Sequence, residues 1–254
     1  MNDEVFQSGA SAHGSRRARR VRAGVCAAAA FLVMGATGAS PLHGQMPDRS
    51  QRPGVGPVPD LELPPVERFT LQNGLDVLVM EKRDLPLVQV NLHVRAGTVD
   101  DPADRLGLAD LTADMLDEGA AGRGALELAD ELEYLGARFG VGAGTHLSTV
   151  SLRVPVARLD AALGLMADVI VRPDFPAAEL DRLRQDRMTY LIRRDDEPNL
   201  IASALFQRTL YGADHPYGRG GVGTAETLAA ITTDDLRAFH RAHYRPDNAA
   251  LVVV

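Results

Sequence analysis

The stretch Leu87–Gly97, LVQVNLHVRAG, alternates without a break: Val88, Val90, Leu92 and Val94 fall on one side of an extended chain, and Gln89, Asn91, His93 and Arg95 on the other. A period of two is that of a strand, and a single apolar side means a sheet with one buried and one solvated face. Slipping the register by one residue would turn the whole apolar row outward, so the segment also fixes its own pairing. His93 belongs to the polar row, where a solvated histidine is expected rather than a ligand. Just before it, ERFTLQNGLDVLVMEK alternates around Asn73-Gly74, the strongest short hairpin signal.

Beyond Leu106 the period changes. Leu108, Leu111 and Met115 follow at i, i+3 and i+7, which predicts a helix over 106–116. A second helix is predicted over 125–135, with Gly136 in the place where helices stop. HLSTVSLRVP reads as a strand, ARLDAALGLMADVIVRP as a helix ended before Pro173, and PAAELDRLRQDRMTYLIRRDDEP as a long charged helix. SALFQRTLYG, TDDLRAFHRAHY and a last strand, NAALVVV, complete the set. Strands and helices are mixed rather than strictly alternating, so the expected fold is α+β: a mainly antiparallel sheet flanked by helices.

The first residues read differently. Five arginines (Arg16, Arg17, Arg19, Arg20, Arg22) precede a weakly apolar run from Val25 to about Ala39, the layout of an export signal, and we assign 1–44 to it. The run is too short for a comfortable permanent membrane anchor. Arg16-Arg17 hints at twin-arginine export without the rest of that motif, and Cys26 has no lipobox around it. Residues 45–65, including DRSQRPGVGPVPDLELPP, are rich in proline and glycine and read as a linker, so the folded domain is expected over 66–254.

Charge and cysteine count narrow the classes. A formal charge of -7 becomes about -10 once the five arginines leave with Asp3 and Glu4, which argues against a nucleic-acid surface. The single cysteine allows no internal disulfide and no cysteine-rich zinc site. GRGGVG (218–223) satisfies G-x-G-x-x-G, but no predicted strand leads into it, so a loop is expected rather than a dinucleotide site. His215 lies beside that loop, and His240 and His243 are spaced as helix decoration; none is assigned to metal.

Five pieces in order then carry a resemblance: F-x-L-x-NGL, V-x-AGT-x-D-x-P before GLADL, LEYLGARF, HPYGRGGVG, and I-TTDDLRAFH-x-x-Y-x-PDNAALVVV. Together they resemble the N-terminal domain of insulinase/pitrilysin-type metallopeptidases over about Val66 to Val254. The resemblance implies a sheet flanked by helices, repeated in a second domain that closes over a peptide substrate. It implies zinc as the family cofactor, held by His-x-x-Glu-His on the helix after Gly-Leu-Ala. Positions i and i+4 share a helix face, so two imidazoles meet one metal while the Glu takes a proton from its water.

In this sequence the two histidine positions are Asp110 and Asp114, and the glutamate position is Ala113. The third ligand, a glutamate in the long helix, is expected at Tyr190 or a neighbour, and Met188, Thr189, Leu191 and Ile192 offer none either. A substrate-holding asparagine of the family falls at about Gly140. No catalytic residue, metal ligand or cofactor is therefore assigned. Asp110 and Asp114 could still hold a hard cation, with Asp117 and Glu118 near in sequence, or could form a solvated acidic face.

Two functional classes follow. One is a non-catalytic homologue, exported and periplasmic, that pairs with an active zinc-peptidase subunit or a second half domain and helps to enclose or bind peptide. The other is an active metal-dependent peptidase with a non-standard carboxylate site or a missing partner half. The sequence stops in mid-strand where relatives continue, so an apolar surface meant for a second domain is expected to be exposed, leaving the chain alone poorly soluble or oligomeric.

Overall fold

The computed structural model describes Gly56 and residues 64–254; the expected export segment and nearly all of the linker lie outside the described residues. The chain runs β1 (Val66–Thr70), β2 (Asp76–Met80), β3 (Leu87–Val94), α1 (Leu108–Asp114), a two-strand ribbon β4 (Gly119–Ala120) and β5 (Arg123–Gly124), then α2 (Ala125–Tyr134). It continues through β6 (Arg138–Ala143), β7 (Ser148–Pro155), α3 (Leu159–Val171), α4 (Ala177–Asp195), α5 (Pro198–Tyr211), α6 (Pro216–Arg219), α7 (Ala225–Ala230), α8 (Thr233–His243) and β8 (Ala249–Val253).

Six strands form one sheet in the order β1-β2-β8-β3-β7-β6. All neighbours are antiparallel except β2 and β8, which run parallel with Val77 opposite Leu251. The α+β class with a mainly antiparallel sheet is what the strand patterning predicts. Register follows the alternation: Val90 faces Leu152, Leu92 faces Val150 and Val94 faces Ser148. That row is buried against Leu111 and Met115 at α1, Leu128 of α2, Leu165 and Met166 of α3 and Phe239 of α8. Each such aliphatic side chain contributes about 1.5–3 kcal/mol on burial.

The opposite face is polar and partly satisfied within itself. Gln89 donates to Asn91 at 2.9 Å, and Thr70 to Asp76 at 2.7 Å. His93 is half-buried, its Nδ1 3.1 Å from Thr149 Oγ1 on the neighbouring strand, rather than simply solvated. His240 also does more than decorate α8. Its Nε2 donates to the Ile170 carbonyl at 2.8 Å and ties α8 to α3, and burial lowers its pKa.

Helix α5 is the exception to the packing. Leu200, Ile201, Leu205, Phe206 and Leu210 are all exposed on it, and no residue of the helix is buried. Among the described residues no helix is long and apolar enough to cross a membrane.

Candidate functional site

The loop before α1 sets up the site. Gly107, at the helix start, has φ +93° and no side chain with which to cap it, so the buried carboxylate of Asp101 does so from outside. Its two oxygens accept from Gly107 N and Ala109 N, each at 2.8 Å. Burial pushes Asp101 up to about 6 against the pull of those two donors. Asp101→Ala should cost about 1–3 kcal/mol because two buried donors lose their partner; an unchanged urea midpoint would contradict this role.

Helix α1 then presents Asp110 and Asp114 one turn apart on one face. Facing them is Arg187, from the middle of α4. One guanidinium nitrogen is 2.8 Å from Asp110 Oδ2, and another bonds Asp114 Oδ2. The i, i+4 spacing that would bring two imidazoles to one metal here brings two carboxylates to one planar fork. All three side chains are mostly buried, at 19–28% exposure. Burial pushes Asp110 up to about 6, with Arg187 pulling it down and Asp114 pushing it further up.

Neither alternative drawn from the sequence describes this pair. The aspartates are not a solvated acidic face, and a cation already lies between them. Asp117 is pushed up to about 6, by burial first and the charges of Glu118 and Asp114 after it, while Glu118 itself bonds Arg182. Among the described residues no group of three or more histidine, cysteine, aspartate or glutamate side chains is arranged to hold a metal. The donor set does not fit zinc, because a divalent ion placed on these oxygens would lie against a guanidinium that already bonds both carboxylates.

Ala113, at the base position, is a buried methyl with no proton to exchange. Tyr190 packs against the hydrophobic core and does not reach the aspartates; the residue of α4 that does is Arg187, three places earlier. Gly140 lies on β6, the edge strand, where its carbonyl accepts from Ser151 Oγ at 3.1 Å.

Beside the triad is an open cleft of about 500 Å³ reached by Asp110. The β6–β7 turn at Ala143–His146, Gln207 and Tyr211 of α5, and Tyr217 of α6 form its walls. His146 Nε2 is 2.6 Å from Tyr217 Oη, Tyr211 meets Tyr217 edge-on at 5.2 Å, and His215 meets it at 5.0 Å. His215 also accepts from Tyr217 N at 3.2 Å and so starts α6. GRGGVG begins inside α6, whose last two residues are Gly218 and Arg219, and runs on as a loop from Gly220, with no strand leading into it. Gly223, at φ +86°, lets the loop pass the Leu106 carbonyl, which an added Cβ would approach to 2.2 Å.

Comparison with known proteins agrees with this architecture. Residues 77–215 match the family described as insulinase (peptidase family M16). The chain is 26% identical over 186 residues to an uncharacterized zinc protease of Mycobacterium leprae, covering 73% of this chain and 42% of that protein. It is 23% identical over 188 residues to one of Bacillus subtilis, covering 74% and 46%. Among solved structures, the peptidase M16 inactive domain from Pseudomonas fluorescens superposes with a TM-score of 0.72 at 34% identity, covering 75% of this chain and 46% of that one. The periplasmic protease PqqL of Escherichia coli superposes at 0.67 with 20% identity, covering 78% and 22%, and so shares the fold. The chain thus spans less than half the length of these relatives, and it belongs to the insulinase family, peptidase family M16.

Proposed function

We propose that this chain is a non-catalytic member of its family that pairs with an active zinc-peptidase subunit, or a second half domain, and helps to enclose peptide substrate. The observation that carries this reading is the Arg187 guanidinium bonded to both aspartates on the helix face where active members hold their metal. The family fold remains, with a bonded cation of the protein's own in place of hydrolytic chemistry.

Two further features support a binding role. Among the described residues edge strand β6 is paired only on its β7 side, and it ends at the cleft, so an extended peptide can add to it through main-chain hydrogen bonds without any metal. The exposed apolar helix α5 flanks the same cleft and offers the surface that a pairing domain would cover. Export to the periplasm is proposed from the arginine-rich start and its apolar run. The Pseudomonas relative described as an inactive domain and the periplasmic Escherichia coli protease are consistent with both parts.

Elemental analysis of the purified chain is expected to find no stoichiometric zinc, and peptide cleavage is expected to be absent with or without chelator. Fluorescein-labelled extended peptides are expected to bind the chain, and to lose binding when alternate backbone nitrogens are methylated. One zinc per chain, with chelator-sensitive cleavage lost in Asp110→Ala, would replace this reading with that of an active enzyme.

A further inference from the structure

Of the residues lining the cleft, Asp110 is the only one with a formal charge; no lysine or arginine shares the surface. Its Oδ2 is engaged by Arg187, whereas Oδ1 takes no hydrogen bond from the described residues. Two carboxylates against one guanidinium leave one negative charge without a partner. Arg219, the last residue of α6, does not supply the missing cation: it donates to the Asp214 carbonyl at 2.6 Å.

The walls around that carboxylate suit a cation with a hydrocarbon stem. Tyr211 and Tyr217 meet edge to face at 5.2 Å and Tyr211 stacks on His215 at 5.6 Å, yet both tyrosines stay exposed, at 45% and 37%, and so offer aromatic surface to an ammonium or guanidinium group. The His146–Tyr217 hydrogen bond and the His215 contact hold Tyr217 in place, which reduces the ordering that a ligand would have to impose. Gln207 adds a neutral amide at the α5 side. An acidic side chain placed here would meet like charge, and an apolar one would cover Asp110 without pairing it.

The strand edge supplies the register. A peptide paired to β6 turns every second side chain to the same side, and the strand ends at Ala143 on the cleft. We infer that the cleft is a specificity pocket for a basic residue, lysine or arginine, of a bound peptide, with Asp110 as its charge partner. This inference rests on the peptide-binding reading above and names the class of peptide.

Anisotropy titrations of the full chain with labelled peptides, identical except for one central arginine, norleucine or glutamate, test it. The arginine peptide is expected to bind about tenfold more tightly than the norleucine one, with glutamate weakest and the gap narrowing as salt is added. Asp110→Asn should bring the arginine peptide to the norleucine level. Gln207→Glu, on the exposed helix α5, should widen the gap, and it keeps the test decisive if Asp110→Asn does not fold. Equal binding of all three peptides, indifferent to Gln207→Glu, overturns the basic pocket while leaving peptide capture intact. Binding of none overturns peptide capture itself.

Discussion

Arg187→Ala should destabilise the fold by about 3 kcal/mol, the lower end of what removing one partner of a buried ion pair costs, since these side chains keep a fifth to a quarter of their exposure. For a domain of this size that is a fall of roughly 6–12 °C in melting temperature. The cause is the pair left behind. Asp110 and Asp114 would face each other in a desolvated site with no counter-charge. A divalent cation of the kind that prefers carboxylates, calcium or manganese, should then restore part of the loss in the variant and do nothing for the parent. Replacing all three members together, Asp110→Asn, Asp114→Asn and Arg187→Met, should come close to the parent, because no charge is stranded. A variant as stable as the parent, or one deaf to cations, would show that Arg187 does not hold this site together.

The second large effect is in pH. Asp101, Asp110 and Asp117 are each pushed from 3.8 to about 6, in every case with burial as the largest cause. A carboxyl whose folded-state pKa is raised binds its proton more tightly in the folded chain. Between about pH 6 and pH 4 the folded state therefore carries more protons than the unfolded one, and stability rises as pH falls. Above about pH 6 all three are ionised at a cost. His240 works the other way: burial lowers its pKa, so the unfolded chain takes up that proton first on acidification. Three groups outweigh one, and a net gain of roughly 1–1.5 kcal/mol is expected between neutral pH and about pH 5.5. Asp168 and Asp235, whose pKa values are lowered by bonds to Arg172 and Thr232, lose stability only in more acidic solution. Calorimetry at fixed salt should show the higher melting temperature at the lower pH, with a flatter profile for Asp117→Asn. A steady decline from neutral pH downward would refute the assignment.

Much of the fold was legible because it rests on periodicity. The row Val90, Leu92 and Val94 predicted both the strand and its buried face, and Leu108, Leu111 and Met115 predicted the helix that covers it. Strand β6 was not predicted: RFGVGA has two glycines in six residues, and glycine is a poor strand former without packing to support it. The ribbon β4–β5 and helix α7 are too short to print a period.

At the site, Asp110, Ala113 and Asp114 could be placed because they share one helix and a fixed spacing. Arg187 could not, being 73 residues from Asp114 on a helix that carries several other arginines, so nothing local marks the one that turns inward. Asp101 was hidden for a similar reason: a cap supplied from eight residues upstream of Ala109 leaves no capping-box pattern.

Strand β8 has a consequence for how the chain assembles. It lies between β2 and β3, so among the described residues the β1–β2 hairpin joins the rest of the sheet only through residues 249–253. Val77 meets Leu251 across about 170 residues of intervening chain. At a ribosomal rate of about 5–20 residues per second, the hairpin waits roughly 10–30 seconds as an orphaned element with one apolar side uncovered. Contacts of such long range are slow to close, which makes this interval the time when a nascent chain is most open to wrong pairing and to capture by chaperones.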